Sequence, residues 1–157
     1  MAQYRFQEEY LERLREQQYR LQSERYHDYD RDPYFYTAPD YRYYYGGSYY
    51  ETNDYGVNVL RQAVNFGYAE GLRAGQADQQ DGWGFDYQDS YAYQDANYGY
   101  DGYYLDQGEY NYYFREGFRR GYEDGYYGRY QYGSYYNGTY SILSDILSDI
   151  LQLQALR

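Results

Sequence analysis

Asn65-Phe66-Gly67-Tyr68-Ala69-Glu70-Gly71-Leu72-Arg73-Ala74-Gly75-Gln76-Ala77-Asp78 lies over Asn111-Tyr112-Tyr113-Phe114-Arg115-Glu116-Gly117-Phe118-Arg119-Arg120-Gly121-Tyr122-Glu123-Asp124 at an offset of 46 residues. Six positions are identical: the Asn, the Glu-Gly pair, the Arg, the next Gly and the Asp. Small residues recur every fourth place, at Ala63, Gly67, Gly71 and Gly75 in the first copy and at Gly117, Gly121 and Gly125 in the second. Four-residue spacing puts them on one face of a helix. An interior helical glycine costs about 1 kcal/mol relative to alanine, so six cost roughly 6 kcal/mol, and something has to offset that. A face without side chains lets another backbone approach closely, as small-xxx-small helix pairs do. The stretch therefore predicts two glycine-striped helices, 57–80 and 108–127, packed as a pair, with Val64, Tyr68 and Leu72 or Phe114, Phe118 and Tyr122 alongside. Glycines acting as turn residues in coil are the competing reading. The spacing of Glu116 four before Arg120 and Glu70 three before Arg73 favours helix.

Working outward, Gly46-Gly47 sits between Tyr41-Arg42-Tyr43-Tyr44-Tyr45 and Ser48-Tyr49-Tyr50-Glu51-Thr52, the pattern of a two-residue β-hairpin. Asn137-Gly138 marks a second, weaker one, and Asn137-Gly138-Thr139 also has the form of a glycosylation sequon. Asp32-Pro33 and Ala38-Pro39 mark a linker. Residues 3 to about 26 read as a solvated helix with a thin stripe of Tyr4, Leu11, Leu14 and Leu21. The tyrosine-rich run from Asp81 to Gly102 has no dominant period and is expected to wrap the helix pair. From Ser141 onward Ile142, Leu143, Ile146, Leu147, Ile150, Leu151 and Leu153 cover one half of a helical wheel. That half is expected to dock on its own chain or to pair with copies of itself.

The predicted class is therefore mainly α, with small β-hairpins, long tyrosine-rich loops and amphipathic helices at both ends. It divides into an arm, 1–30, a tyrosine-rich core, 31–140, and an association helix, 141–157. Composition is unusual for such a fold. Leu, Ile, Val and Phe number 23 of 157 residues at a net charge of -11, a balance that ordinarily reads as disorder. The 33 tyrosines change that, because a phenol buries as much surface as a phenyl ring once its hydroxyl finds a partner. All 14 basic residues are arginine, which stacks on rings and forks onto carboxylates. The acidic balance argues against nucleic acid and anionic membrane as partners, both of which need a basic face. Without cysteine there are neither disulfides nor thiolate metal sites, and no apolar run reaches transmembrane length.

In the Gly46-Gly47 hairpin, in Asn58-Val59-Leu60-Arg61-Gln62-Ala63-Val64-Asn65 and in Tyr113-Phe114-Arg115-Glu116-Gly117-Phe118-Arg119-Arg120-Gly121-Tyr122-Glu123-Asp124-Gly125-Tyr126, the chain resembles uncharacterised tyrosine- and glycine-rich secreted proteins of acidobacteria and similar soil bacteria. The resemblance covers roughly residues 40 to 140. It carries over no activity and no functional residue, but it implies export to the periplasm or cell exterior. The N-terminal stretch lacks the hydrophobic segment of a signal peptide, which taken literally points to the cytoplasm instead.

Chemistry is sparsely signalled. His27 is the only histidine, too little for a nucleophile–base–acid arrangement. Asp95 to Asp106 departs from the EF-hand pattern at the sixth and twelfth places, Tyr100 and Asp106. No catalytic residue, metal ligand or cofactor is assigned. The sequence is read as a non-enzymatic, extracytoplasmic structural protein that self-associates into a filament or surface layer, with copies of itself as partner. The alternative is a monomeric cell-envelope module for polysaccharide or a divalent cation.

Overall fold

The computed structural model describes residues 1–24 and 27–156. Its described elements are mainly helical with small antiparallel sheets, as the sequence predicts. In chain order they are α1 (Ala2–Ser23), β1 (Tyr41–Tyr45), β2 (Ser48–Thr52), α2 (Asp54–Gln80), α3 (Tyr91–Asp95), α4 (Gln107–Tyr127), β3 (Gly133–Tyr136), β4 (Thr139–Ile142), α5 (Ser144–Leu151) and β5 (Gln154–Ala155). Helices α2 and α4 make the most extensive contact between any two elements. Around them lie α1, the 81–106 segment and the hairpins.

Both hairpins form where the turn residues place them. Gly46 and Gly47 have φ of 59° and 89°, and Asn137 and Gly138 have 50° and 77°. Positive φ at both central residues matches the turn to the right-handed twist of the flanking strands. Tyr45 then opposes Ser48, and Tyr136 opposes Thr139.

At the start of α2 the side chain of Asn53 accepts hydrogen bonds from the amides of Tyr55 (3.0 Å) and Gly56 (3.2 Å). Its amide nitrogen donates to the carbonyls of Tyr34 (3.0 Å) and Thr37 (3.1 Å). One side chain thus ends the linker and begins the helix, which starts three residues before the boundary read from the glycine period. The capping of α1 comes from elsewhere in the chain. Asp81, just past α2, accepts from the amides of Ala2 (2.7 Å) and Gln3 (2.8 Å), and these bonds hold its carboxyl down at about 2.

Two sequence expectations need correction. The stripe of α1 is not Tyr4-Leu11-Leu14-Leu21. Tyr4 is 63% exposed, whereas the buried face carries Gln3, Phe6, Tyr10 and Gln17, because that face meets backbone carbonyls and carboxylates as well as rings. The predicted end of this helix at residue 26 falls outside the described residues. The helix predicted over 141–157 is confined to eight residues, Ser144–Leu151. Ile142 is drawn into β4 opposite Gly133, and its amide donates to Asn65 Oδ1 at 3.0 Å. At the other end Gln152 turns left-handed at φ 48°, and Gln154–Ala155 pair with β1. Tertiary pairing at both ends overrides a pattern that would continue as helix in isolation.

Replacing Asn53 by Ala should destabilise the protein by about 2 kcal/mol, more than an ordinary cap, because two part-buried carbonyls lose their donor along with the helix amides. Asn53→Asp, which restores only the acceptor, should fall between the two in urea denaturation.

Candidate functional site

Ala63 and all six predicted glycines are buried on α2 and α4. A Cβ added at Gly67, Gly71 or Gly75 would sit 2.8, 2.8 or 3.0 Å from the carbonyl carbon of Phe114, Phe118 or Tyr122. One added at Gly117, Gly121 or Gly125 would sit 2.9, 2.8 or 2.8 Å from that of Val64, Tyr68 or Leu72. The obstructing atoms are backbone, which cannot step aside. Because the contacts climb both helices in the same direction, α2 and α4 run parallel, with Gly67 level with Gly117 and Gly75 level with Gly125. A parallel pair needs a return path. Residues 81–106 supply it by travelling back along α2, which at 27 residues extends about 40 Å.

The six identities of the repeat occupy equivalent roles. Asn65 accepts from Ile142, while Asn111 donates to the carbonyl of Ala96 (2.7 Å), so each Asn pins a neighbouring segment. Glu70 pairs with Arg73 (3.1 Å) and with Arg13; Glu116 pairs with Arg119 (3.1 Å) and Arg120 (3.3 Å). Asp78 accepts the phenol of Tyr122 across the interface, and Asp124 accepts that of Tyr68 at 2.7 Å. Sequence reasoning placed Tyr68 and Tyr122 beside the stripes and noted the repeated Asp, but it did not pair the phenols with Asp124 and Asp78. The identity of Asp78 and Asp124 in the repeat was the available signal.

Around this centre the interior is aromatic. Along α4 Phe114, Phe118, Tyr122 and Tyr126 stack at centroid separations of 6.3, 6.4 and 6.0 Å. Tyr10, Tyr68, Tyr110, Tyr113 and Tyr122 are fully buried. Their hydroxyls donate respectively to Asp95 (2.8 Å), Asp124, the carbonyl of Tyr98 (2.7 Å), the carbonyl of Tyr44 (3.4 Å) and Asp78. Tyr43 donates to Glu109 at 2.9 Å. Burial pushes the carboxyls of Asp78 and Glu109 above their ordinary range; Asp81 and Asp89 add to the rise at Asp78, and Asp106 adds to it at Glu109, against the opposing pull of the phenols.

The apolar residues assigned to self-association are for the most part used within the chain. Ile142, Ile150 and Leu151 are buried, and Ile146, Leu147 and Leu153 pack partly buried against the core, while Leu143 is 41% exposed. The buried cluster draws on residues from the arm, the central segment and the C-terminal segment alike. What the surface offers is tyrosine. Among the described residues fourteen tyrosines are 40–76% exposed, including Tyr44, Tyr49 and Tyr50 on the first hairpin and Tyr135 and Tyr136 on the second. His27, held by Asp32 Oδ2 at 2.6 Å and stacked on Tyr103, belongs to an aromatic cluster with Tyr29 and Tyr104.

Among the described residues no group of three carboxylate or histidine side chains is arranged to hold a metal ion, and no helix is long and apolar enough to cross a membrane. Compared with protein-family models, with curated proteins and with solved structures, the chain matches none.

In an exposed helix Gly→Ala stabilises by about 1 kcal/mol. Gly121→Ala should instead cost about 3 kcal/mol, because its methyl group meets the Tyr68 carbonyl. Gly108→Ala, at the start of α4 where a Cβ meets nothing closer than 3.6 Å, should be neutral or stabilising in the same urea titration. A raised carboxyl favours the neutral form in the folded state. Its contribution is complete below the ordinary values of 3.8 and 4.5 and is lost as pH rises through the folded value. Stability should therefore fall as pH rises above these ordinary values, and an Asp78→Asn, Glu109→Gln double variant should show a flatter profile of denaturation midpoint against pH.

Proposed function

We propose that the chain is a non-enzymatic structural protein that self-associates outside the cytoplasm, in a filament or surface layer. Two glycine-striped helices packed as a pair form its rigid spine, and the tyrosine-faced hairpins are its contact surfaces. The observation that carries this reading is the combination of exposed phenols with open strand edges. In the sheet order β2-β1-β5, β2 is an edge strand, and in the two-stranded β3-β4 sheet both strands are edges. An unpaired edge is a template for another chain, and natural proteins usually blunt it with lysine, proline or a covering element. Here the edges carry Tyr49, Tyr50, Tyr135 and Tyr136, and the chain has no lysine at all. Tyrosine brings contact area at low entropic cost, which is why interfaces are enriched in it.

Arginine supplies the complementary group. The guanidinium of Arg42 lies 4.5 Å from the centroid of the Tyr49 ring, and that of Arg129 lies 5.1 Å from Tyr127. The same pairing between copies would join one hairpin to the next. With α5 seated on its own core, the association surface moves from the C-terminal helix to the hairpins. A hairpin of one copy meeting a different edge of the next makes a heterologous contact, which propagates without closing.

Sedimentation velocity and electron microscopy of the full chain test this reading. The expected result is a species that grows with concentration and disperses when Tyr49, Tyr135 and Tyr136 are replaced together by Ser, with unchanged circular dichroism. A wild-type chain that sediments as a monomer at every concentration would end it.

A further inference from the structure

Between the start of α1 and the segment that leaves α2 lies an open cleft of about 530 Å³. Tyr4, Trp83 and Tyr91 stand on its walls, 63%, 52% and 40% exposed. Exposed indole is costly surface to leave in water, and Trp83 is the only tryptophan in the chain. Its position is fixed by its backbone: the amide donates to the carbonyl of Asp78 at 2.9 Å, and its carbonyl accepts from the phenol of Tyr126 at 2.6 Å. Tyr91 is braced edge-on by the buried ring of Tyr10 at 6.2 Å. The two rings thus stand on ordered supports rather than on free loops.

The polar part of the lining decides the ligand class. Asp86 and Asp89 contribute carboxylates, Gln7 an amide, and none of the described lining residues is arginine or histidine. An anionic ligand would face these carboxylates in a chain of net charge -11, and the Met1 ammonium at the rim is already paired with Asp81 at 3.0 Å. Ser90 adds an independent observation. It lines the cleft at 6% exposure, and its hydroxyl is buried without a hydrogen-bond partner among the described residues. An orphaned buried hydroxyl calls for a group that can satisfy it. A quaternary organic cation would suit the rings and the carboxylates, but it has neither an acceptor nor an N–H donor for Ser90 or the Gln7 amide, and a primary ammonium could donate to them but not accept. A sugar ring fits all of them. Its C–H face lies flat on an aromatic ring, and its hydroxyls both donate to carboxylates and accept from a hydroxyl or amide. The cleft is partly open to solvent, so a sugar seated in it is not enclosed.

We infer that this cleft binds a neutral oligosaccharide, stacked on Trp83 and hydrogen-bonded by Asp86, Asp89, Gln7 and Ser90. This goes beyond the structural role and does not depend on it, since binding is read on the dispersed chain.

Trp83 is its own reporter, excited at wavelengths where tyrosine absorbs little. Titration with cellohexaose and chitohexaose should give a saturable change in its emission with at least one of them, while oligogalacturonate and tetramethylammonium should give none. By calorimetry Trp83→Ala should weaken binding at least about tenfold and Ser90→Ala about threefold, and Trp83→Phe should retain most of it. Circular dichroism and melting of all three variants should match the parent chain. Absence of saturation with both neutral oligosaccharides at millimolar concentration overturns the inference. So does saturation by the acidic oligosaccharide or by the ammonium ion alone, or a folded Trp83→Ala chain that binds as well as the parent.

Discussion

A phenol taken out of water brings its hydroxyl with it, and the whole interior of this protein is arranged around that constraint. An aliphatic core is satisfied by contact alone, but a tyrosine core has to bring an acceptor to each ring or lose about 1–3 kcal/mol per orphaned group. Each of the five fully buried tyrosines meets the requirement with an acceptor on a different part of the chain. Because these partners are remote in sequence, every such bond is also a statement of tertiary position. A chain poor in leucine and isoleucine obtains from directed hydrogen bonds the uniqueness that close-packed aliphatic side chains give elsewhere.

The acceptors carry a cost of their own. Asp78 and Glu109 lie buried with phenols or an amide, not cations, as hydrogen-bond partners, and burial works against their charge. Asp124 is better served: besides Tyr68 it accepts from the amides of Gln131 and Tyr132 at 3.1 and 2.9 Å, so it also ties down the chain after α4. Glycine is what makes the phenol bonds geometrically possible. With side chains in the six bare positions the two helices would stand farther apart, and the reach from Tyr68 to Asp124 or from Tyr122 to Asp78 would open. The backbone contact and the phenol–carboxylate bonds are therefore one device, in which each part has value only if the other is present.

How much of this was readable in advance follows from how local each signal is. The hairpins were legible because Gly46-Gly47 and Asn137-Gly138 specify a turn through their own backbone preferences. Helices α2 and α4 were legible because glycine spacing and charge spacing agree over several turns. The α5 boundaries were not, since what stops that helix is the pull of Asn65 on Ile142 and of β1 on the last residues, partners more than 70 residues away in the chain. The buried face of α1 was misread for a related reason. Gln3 and Gln17 look like interruptions by polarity, yet they are buried because Asp78 and the amide of Gly99 await them. The cleft beside Trp83 joins the first turn of α1 to residues some 80 positions later, and neither stretch announces the other.

The repeat and the contact it makes are out of step, since sequence identity matches Gly71 with Gly117 whereas in space Gly71 stands level with Gly121. A ladder of equal steps behaves like a vernier scale with no zero mark: slide one helix by a single turn and Gly71 would face Gly117 and Gly75 would face Gly121, with bare backbone against bare backbone as before. Such translational degeneracy cannot be lifted by the rungs themselves. The groups that occur once, above all the Tyr68–Asp124 and Tyr122–Asp78 bonds at the far end, act as the index marks that select one alignment from several.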